Sequence, residues 1–269
     1  MDNDEAEKQS IIKKRKCIEK LRPIDDIMFE AIAKEEGVCE EILRVILEDS
    51  ELKVKRVVPQ KSISNLYGRE VRLDALCELS TGQMVNVEVQ RSDNDDHLMR
   101  ARYNTSCITA NTSSPGSKFE DIPTVYFVYI SEFDVFKKGK IIYHIDNVIR
   151  ETNTVVDDKC YRIFVNTKIK DGTELSKLME CFTKNFFEDP KFPKLSKAFH
   201  KYKYTEGGID HMCTVMEEYT NDIIKENEEK SVRNLFLNCK RLSYKDVKTS
   251  FQHLSEDEIK KIYEEIHQK

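Results

Sequence analysis

Glycine is scarce in this sequence, and its scarcity limits the sites that the chain can form. The eight glycines are scattered over 269 residues, and no segment has the closely spaced glycines of a phosphate-binding loop. No motif for a Ser/His/Asp or Cys/His nucleophile is present either. An enzyme acting on a small molecule is therefore poorly supported.

Long apolar runs and cysteine pairs are also missing. No apolar run reaches the ~18 residues of a membrane-spanning helix, and the N-terminal residues lack the apolar stretch of a signal peptide. The eight cysteines include no CxxC pair, and His211 and Cys213 are the only close His/Cys pair. Because a structural zinc needs four ligands at regular spacing, we expect free cysteines in a soluble, cytoplasmic protein with no membrane partner.

The remaining composition favours a globular protein with charged helical surfaces. Hydrophobic residues make up 39% of the chain, enough for a packed core, and charged residues make up 35%. The formal net charge is −5, so any contact with nucleic acid would depend on local basic patches. The length suits one α/β domain with an appendage, or two small domains.

Apolar periodicity predicts where the chain changes from helix to strand and back. After a polar leader over 1–20, the spacing predicts helices at 23–37, which Gly37 would end, and at 38–49. Strands are predicted at 52–58, 71–78, 84–90, 123–131, 140–149 and 161–167, with a helix at 94–111. The apolar strand at 123–131 is expected to be buried on both faces.

The chain after residue 173 is predicted to be helical throughout. It contains a strongly acidic helix over 206–230 and two helices with Ser243 and Ser255 as N-cap candidates. Glu258 completes a capping box with Ser255. We therefore expect a core domain at 21–190 and a helical C-terminal extension at 191–269, with the last helices serving as a partner or oligomerisation segment.

The segment VRLDALCELSTGQMVNVEVQ, residues 71–90, is predicted to form a hairpin. Pairing Cys77 with Val85 brings the apolar faces of the two strands together, whereas a slip of one residue would turn one face outward. The loop is then Ser-Thr-Gly, and its third residue is the glycine that such loops favour. In this register Asp74 lies directly opposite Glu88.

Opposed acids on one face of a sheet indicate one of two things. Their Cβ atoms lie about 4.5–5.5 Å apart, so they either hold a divalent cation such as Mg²⁺ or Mn²⁺ or belong to a solvated face. Arg72, on the same face as Asp74, supports the solvated alternative. Gln90 projects to the same side as Glu88 and could position water or a phosphate. The alternation of side chains between the two faces of each strand leaves both alternatives open.

Several motifs together resemble the PD-(D/E)XK nuclease family transposases. The strand–turn–strand with Asp74 and Glu88-Val89-Gln90 is similar to the family's Leu-Asp strand, Gly turn and Glu-x-Gln strand. DDIMFEAI, HLMRARYN, PTVYFVYISEFDVF and CYRIFVNTKIKDGTELSKLMECF resemble the elements around that hairpin, so the likeness covers roughly residues 20–190. The resemblance implies an α/β, restriction-endonuclease-like core: a mixed β-sheet flanked by helices, with an all-helical C-terminal extension.

The resemblance also implies a function and a site. It implies metal-dependent DNA hydrolysis, with a link to recombination, in which Asp74 and Glu88 bind Mg²⁺ (or Mn²⁺) and Gln90 stands where many relatives have lysine. Asp26 matches the family's opening Asp, and it is either an accessory site residue or, with Asp25, part of a helix N-cap. Glu30 stands where the family has lysine, which reverses a charge.

Basic residues near the hairpin are candidates for phosphate contacts. Six lie at 53, 55, 56, 61, 69 and 72, against two acids at 51 and 70. Arg91, Arg100 and Arg102 follow the Glu88 strand, and ordinary surface ion pairing is an equal alternative for all of these. Arg100 and Tyr103 are one helical turn apart and could face the site together, although Tyr103 could equally belong to the core.

Two functions follow from these observations. The first is a Mg²⁺-dependent DNA endonuclease. The second is a catalytically weak or inactive relative that serves as a nucleic-acid or protein interaction module. Intact Asp74, Glu88 and Gln90 favour the nuclease, and Glu30 and the net acidity favour the module.

Overall fold

The chain divides into two units, the first ending at Met212 and the second beginning at Cys213. A mixed six-stranded sheet forms the centre of the first unit. The computed structural model describes residues 12–64, 70–239 and 242–267. Most of the predicted polar leader and the predicted basic residue Arg69 lie outside these ranges, although residues 12–18 are helical.

The strands follow the predicted order closely. They are β1 Val54–Ser64, β2 Glu70–Leu79, β3 Met84–Gln90, β4 Val125–Ser131, β5 Ile142–Ile145, β6 Asn147–Ile149, β7 Thr154–Val156 and β8 Cys160–Asn166. The six-stranded sheet has the order β1-β2-β3-β4-β8-β5, and β6 pairs with β7 in a separate ribbon. Strands β3, β4 and β8 are parallel to one another, and the other pairs in the sheet are antiparallel.

Helices surround this sheet and make up the C-terminal region. They are α1 Asp26–Ala33, α2 Val38–Ile46, α3 His97–Thr112, α4 Glu174–Thr183, α5 Pro193–Tyr204, α6 Glu206–Asn238, α7 Tyr244–Lys248 and α8 Glu256–His267. A short 3₁₀ turn occupies Phe119–Asp121. This arrangement confirms the predicted α/β class and is consistent with a restriction-endonuclease-like fold.

Two local predictions were wrong. Gly37 does not end the first helix, because α1 already ends at Ala33; with a φ of +82° it is instead the residue from which α2 begins. The single strand predicted at 140–149 is two strands, since β5 pairs with β8 whereas β6 pairs with β7. Asp146, between the two strands, belongs to neither of them.

Other local predictions were confirmed. The hairpin loop ends at Gly82, whose φ is +84°, and the backbone N–H of Gly82 donates to the carbonyl of Leu79 at 2.9 Å. Strand β4 is buried along nearly its whole length, as its apolar sequence predicts.

The second unit has a small apolar core of its own. It is formed by the C-terminal part of α6 together with α7 and α8, and its buried members are Val232, Phe236, Val247, Leu254, Ile259 and Ile262. Both predicted caps are present: Ser243 forms a capping box with Asp246, and Ser255 forms one with Glu258. Among the described residues, no helix has both the length and the apolarity needed to cross a membrane.

Candidate active site

The hairpin register brings the two predicted acids together at the end of a strand ladder. Cys77 pairs with Val85 and Ala75 with Val87, as the turn and the apolar faces predict. The next pair in this register is Asp74 and Glu88, where the regular β2–β3 pairing stops. The two carboxylates therefore belong to adjoining strands at the point where the strands cease to bond to each other.

The Asp74 side chain replaces part of the missing backbone pairing. Its Oδ2 atom accepts a hydrogen bond of 2.9 Å from the backbone N–H of Val89. Burial raises the pKa of Asp74 well above its ordinary value, and the nearby charge of Glu88 raises it further. A carboxylate in this position favours a proton or a cation beside it.

Glu88 is more deeply buried and is held by two asparagines. It is 5% exposed, and its Oε1 atom accepts from Nδ2 of Asn86 at 2.8 Å and from Nδ2 of Asn104 at 3.5 Å. Burial raises the pKa of Glu88 to about 7, although the Asn86 hydrogen bond and the charge of Arg100 act in the opposite direction. Near neutral pH this carboxyl group is therefore balanced between its two protonation states.

Glu88 also lies at a basic surface depression of about 620 Å³. The other lining residues include Arg72 from β2 and Arg100, Arg102 and Tyr103 from α3. The three arginines outnumber the two acids in the lining, Glu88 and Asp96, so the depression keeps a positive charge that suits phosphate groups.

The two accessory residues predicted on α3 are brought to this depression. Arg100 lies close enough for its charge to lower the pKa of both Asp74 and Glu88, and it also bonds to Asp96 at 3.4 Å. Tyr103 lines the same depression and also packs against a buried cluster.

Gln90 and Asp26 occupy less central positions. Gln90 is the last residue of β3, half-buried, and pairs with Ser131 of β4; it is not among the residues lining the depression. The charge of Asp26 raises the pKa of both Asp74 and Glu88, so it is within electrostatic reach of the pair.

Asp25, the other half of the proposed cap, does not cap α1. No side-chain capping hydrogen bond is made there. Its carboxylate instead accepts from the backbone N–H of Arg22 at 2.7 Å and from the guanidinium of Arg91 at 2.5 Å. Asp25 therefore ties the start of α1 to the residue that follows β3.

Some residues that support the acids were not identified from the sequence. Asn86 lies two residues before Glu88 on β3, so the two side chains project from the same face of the strand. A polar residue at this position in an otherwise apolar strand could have identified it from the sequence. Asn104 lies one helical turn after Arg100 on α3, and that spacing was a second signal.

A buried His–Tyr pair behind Glu88 had no comparable signal. Nδ1 of His97 lies 2.7 Å from the Tyr129 hydroxyl, and Nε2 of His97 lies 2.9 Å from Asp93. Tyr129 pairs with Glu88 in the sheet, and burial raises its pKa, so it is a neutral phenol. Only the sheet order places these residues beside the acids.

The donor set around the acids fits a hard divalent cation. The carboxylates of Asp74 and Glu88 supply oxygen ligands, and the buried Oδ1 atom of Asn86 has no hydrogen-bond partner in the described part of the chain. Mg²⁺ and Mn²⁺ prefer such oxygen ligands and complete their shells with water or substrate phosphate. No group of three or more His, Cys, Asp or Glu side chains able to hold a metal occurs among the described residues.

These features define a class of protein: a restriction-endonuclease-like α/β fold with a paired-carboxylate site at the end of adjoining strands. The family model described as PD-(D/E)XK nuclease family transposase matches residues 34–180, more than half of the chain, and the chain belongs to this family. This confirms the resemblance found in the sequence. No curated protein and no solved structure matches the chain.

Proposed function

We propose that this protein is a divalent-metal-dependent endonuclease that hydrolyses phosphodiester bonds of DNA, with Asp74 and Glu88 as metal-binding acids. The observation that carries the proposal is the pair itself: two adjoining carboxyl groups with raised pKa values beside an arginine-lined depression. Buried like charges are costly unless a cation or substrate compensates them. Membership of a nuclease family supplies the reaction class.

The chain's own residues have distinct parts in this proposal. When bound, Mg²⁺ or Mn²⁺ would polarise the scissile phosphate and lower the pKa of the attacking water. The Val89 N–H fixes the Asp74 carboxylate, and Asn86 and Asn104 fix that of Glu88.

The remaining site residues act on the substrate. Arg100 and Arg102 contact phosphate oxygens in the depression. Gln90 orients water or a phosphate as a neutral amide, since it cannot supply the charge of a lysine. Asp26 adds negative charge near the acids and strengthens their attraction for a cation.

Cleavage of supercoiled plasmid tests the proposal. Purified protein is incubated with Mg²⁺, with Mn²⁺ or with EDTA, and the natural protein is compared with Asp74→Asn and Glu88→Gln. We expect metal-dependent nicking that EDTA abolishes and that each substitution lowers by at least ~100-fold, because each removes a metal ligand.

Glu78→Gln is the matched control for these variants. Glu78 lies on β2 like Asp74, but its carboxylate pairs with Lys55 at 2.5 Å, at the other end of the strand. This variant is expected to cut like the natural protein. Equal cutting by the Asp74 and Glu88 variants, or no metal-dependent cutting by folded natural protein, would refute the nuclease assignment.

A catalytically weak interaction module is the second candidate. It is favoured by Glu30, which by its resemblance to the family's opening helix would stand at a lysine position, and whose carboxylate accepts a hydrogen bond of 2.9 Å from Lys34. Under this alternative the folded protein binds DNA without cutting it, and the acid variants bind as the natural protein does. A cytoplasmic location, a part in recombination and self-association through the C-terminal helices also stay predictions.

A further inference from the structure

A short lysine-rich loop follows β4 on the same face of the sheet as Glu88. Glu88 pairs with Tyr129 on β4, and the Tyr129 ring contacts Phe164 of β8 with ring centres 5.4 Å apart. Phe136, inside the loop, packs edge-on against Phe164 at 5.3 Å. The loop therefore packs against β8, which lies two strand spacings, roughly 10 Å, from the strand that carries Glu88.

The backbone of this loop, residues 134–140, is fixed by two side chains. The Asp134 carboxylate accepts from the backbone N–H groups of Phe136 at 3.2 Å, Lys137 at 2.9 Å and Gly139 at 2.7 Å. The Tyr143 hydroxyl donates to Asp134 at 2.8 Å and accepts from the N–H groups of Lys138 and Lys140 at 3.2 and 3.1 Å.

These hydrogen bonds stabilise a backbone conformation with positive φ angles, which is unfavourable for residues other than glycine. Lys137 has a φ of +55° and Gly139 a φ of +69°. A left-handed lysine costs on the order of 1 kcal/mol, which the bond from its N–H to Asp134 offsets. The loop is thus ordered in the free protein.

The ordered backbone presents three charges outward. Lys137, Lys138 and Lys140 are exposed, and within the described residues none of their ammonium groups forms an ion pair. Lys137 is nevertheless close enough to Asp93 for its charge to help lower the pKa of that carboxyl group. The two acids nearest in sequence are already engaged: Asp134 binds the loop backbone, and Glu132 accepts from Arg22 and Arg91. Loop 134–140 therefore carries a net charge of +2, from three lysines and Asp134, in a chain of net charge −5.

The loop also begins at the carboxyl ends of the parallel strands, next to the end of the strand that carries Glu88. It follows Ser131, which pairs with Gln90 in the parallel register, and the N–H of Glu132 donates to the Gln90 carbonyl at 3.0 Å. Phe133 packs against His97, the first residue of α3, with ring centres 4.8 Å apart. Ligands of open α/β sheets bind outside this carboxyl edge of parallel strands.

We propose that loop 134–140 is a preformed phosphate-contact element that holds the backbone of double-stranded DNA beside the site through Lys137, Lys138 and Lys140. This inference rests on the proposed function for its ligand. Because the loop packs on a strand two positions away from β3, it would hold phosphates that flank the one at Asp74 and Glu88. Such contacts position the duplex without reading its sequence.

Salt-dependent DNA binding tests this element. Fluorescein-labelled duplex DNA is titrated with full-length protein carrying Glu88→Gln, without divalent metal, over a series of NaCl concentrations, and binding is followed by anisotropy. Replacing the three lysines with alanine is expected to weaken binding at least ~10-fold and to reduce the slope of log affinity against log salt by about 2–3, since each phosphate contact contributes about 0.9. Replacing them with arginine should preserve both quantities.

The matched control removes three other exposed lysines, Lys191, Lys194 and Lys197, by substitution with alanine. They lie in and just before α5, which packs against α1 and α2, and their loss changes the net charge equally. This control should show the same slope of log affinity against log salt as the Glu88→Gln parent protein. The inference is overturned if the loop variant binds like its parent, if the control loses as much as the loop variant, or if the parent does not bind duplex DNA.

The two proposals fail in different ways. If the loop variant loses affinity and slope while the natural protein never cuts plasmid with Mg²⁺ or Mn²⁺, the loop inference stands and the nuclease assignment fails. If the natural protein cuts and the loop variant binds DNA as its parent does, the nuclease assignment stands and the loop inference fails. Thermal unfolding followed by circular dichroism shows whether each variant is folded.

Discussion

The carboxylate of Asp74 accepts a hydrogen bond of 2.9 Å from the backbone N–H of Val89, the residue directly after Glu88. This contact ties the first acid to the strand that carries the second, at the point where backbone pairing between the strands ends. The acids are thereby held together although their charges repel. Such an arrangement is expected to cost stability and to favour cation binding.

Asp74→Asn should separate these two effects. The amide oxygen of asparagine can still accept from the Val89 N–H, while the repulsion with Glu88 disappears. We expect the variant to be more stable than the natural protein by about 1–2 kcal/mol at pH 8 without metal, measured by urea unfolding. Asp74→Ala, which loses the hydrogen bond as well, should gain less; a gain equal to that of asparagine would argue against a role for this bond.

The stability of the protein should fall as pH rises from about 5 to about 8. The pKa of Glu88 is raised from 4.5 to about 7 in the folded state, so the folded chain binds more protons than the unfolded chain within this window. The cost of ionising buried Glu88 is complete above its folded pKa and absent well below pH 4.5, and it amounts to about 3–3.5 kcal/mol.

Urea unfolding at pH 5 and pH 8, without divalent metal, measures this effect. Glu88→Gln should reduce the difference in the free energy of unfolding between the two pH values, because its amide does not titrate. Mg²⁺ should stabilise the natural protein more at pH 8 than at pH 5, because protons compete with the cation. An unchanged pH dependence in Glu88→Gln would contradict the assignment to this group.

Lys203→Met should destabilise the first unit. The Lys203 side chain is 3% exposed, and its ammonium donates to the carbonyls of Glu19 at 2.7 Å, Leu21 at 2.9 Å and Asn185. Burial lowers its pKa to about 8. Methionine keeps the aliphatic stem but leaves three carbonyls without this donor, which is expected to cost roughly 2–4 kcal/mol.

Thermal unfolding provides the measurement, and Lys197→Met provides the control. Lys197 is on the same helix, α5, but is exposed, so its substitution should change the stability by less than ~0.5 kcal/mol. Similar melting temperatures for Lys203→Met and Lys197→Met would show that the buried ammonium contributes nothing.

Gly82→Ala should loosen the turn of the site hairpin. Gly82 has a φ of +84°, and no atom lies within 4 Å of the position that a Cβ would take, so only backbone strain opposes the alanine. We expect a loss of about 1 kcal/mol in the free energy of unfolding. Gly207→Ala, in a helix and equally unobstructed, should instead be neutral or stabilising, and thermal unfolding of the two variants distinguishes the cases.

The hairpin illustrates how far the sequence leads. The alternation of apolar residues and the Ser-Thr-Gly loop sufficed to predict that Cys77 pairs with Val85, and hence that Asp74 and Glu88 are opposed. Both signals are local, because side chains alternate strictly along a strand and a three-residue loop restricts the register. The prediction of one strand at 140–149 was wrong because the two halves of this segment pair with different strands, β8 and β7, and the choice of partner is not a local property of the sequence.

The sequence by itself determined most of the helices and strands, the register of the hairpin and the family to which the chain belongs, although it did not predict β7 or the division between β5 and β6. Only the tertiary structure decided which groups surround the acids. It placed Asn104 of α3 against Glu88. It also showed that the side chain of Asp25, a candidate cap of α1 in the sequence, binds Arg91 instead. Local periodicity specifies which face of an element a residue occupies, but burial and proximity between distant elements depend on how those faces pack, and these set the pKa values and charges of the site.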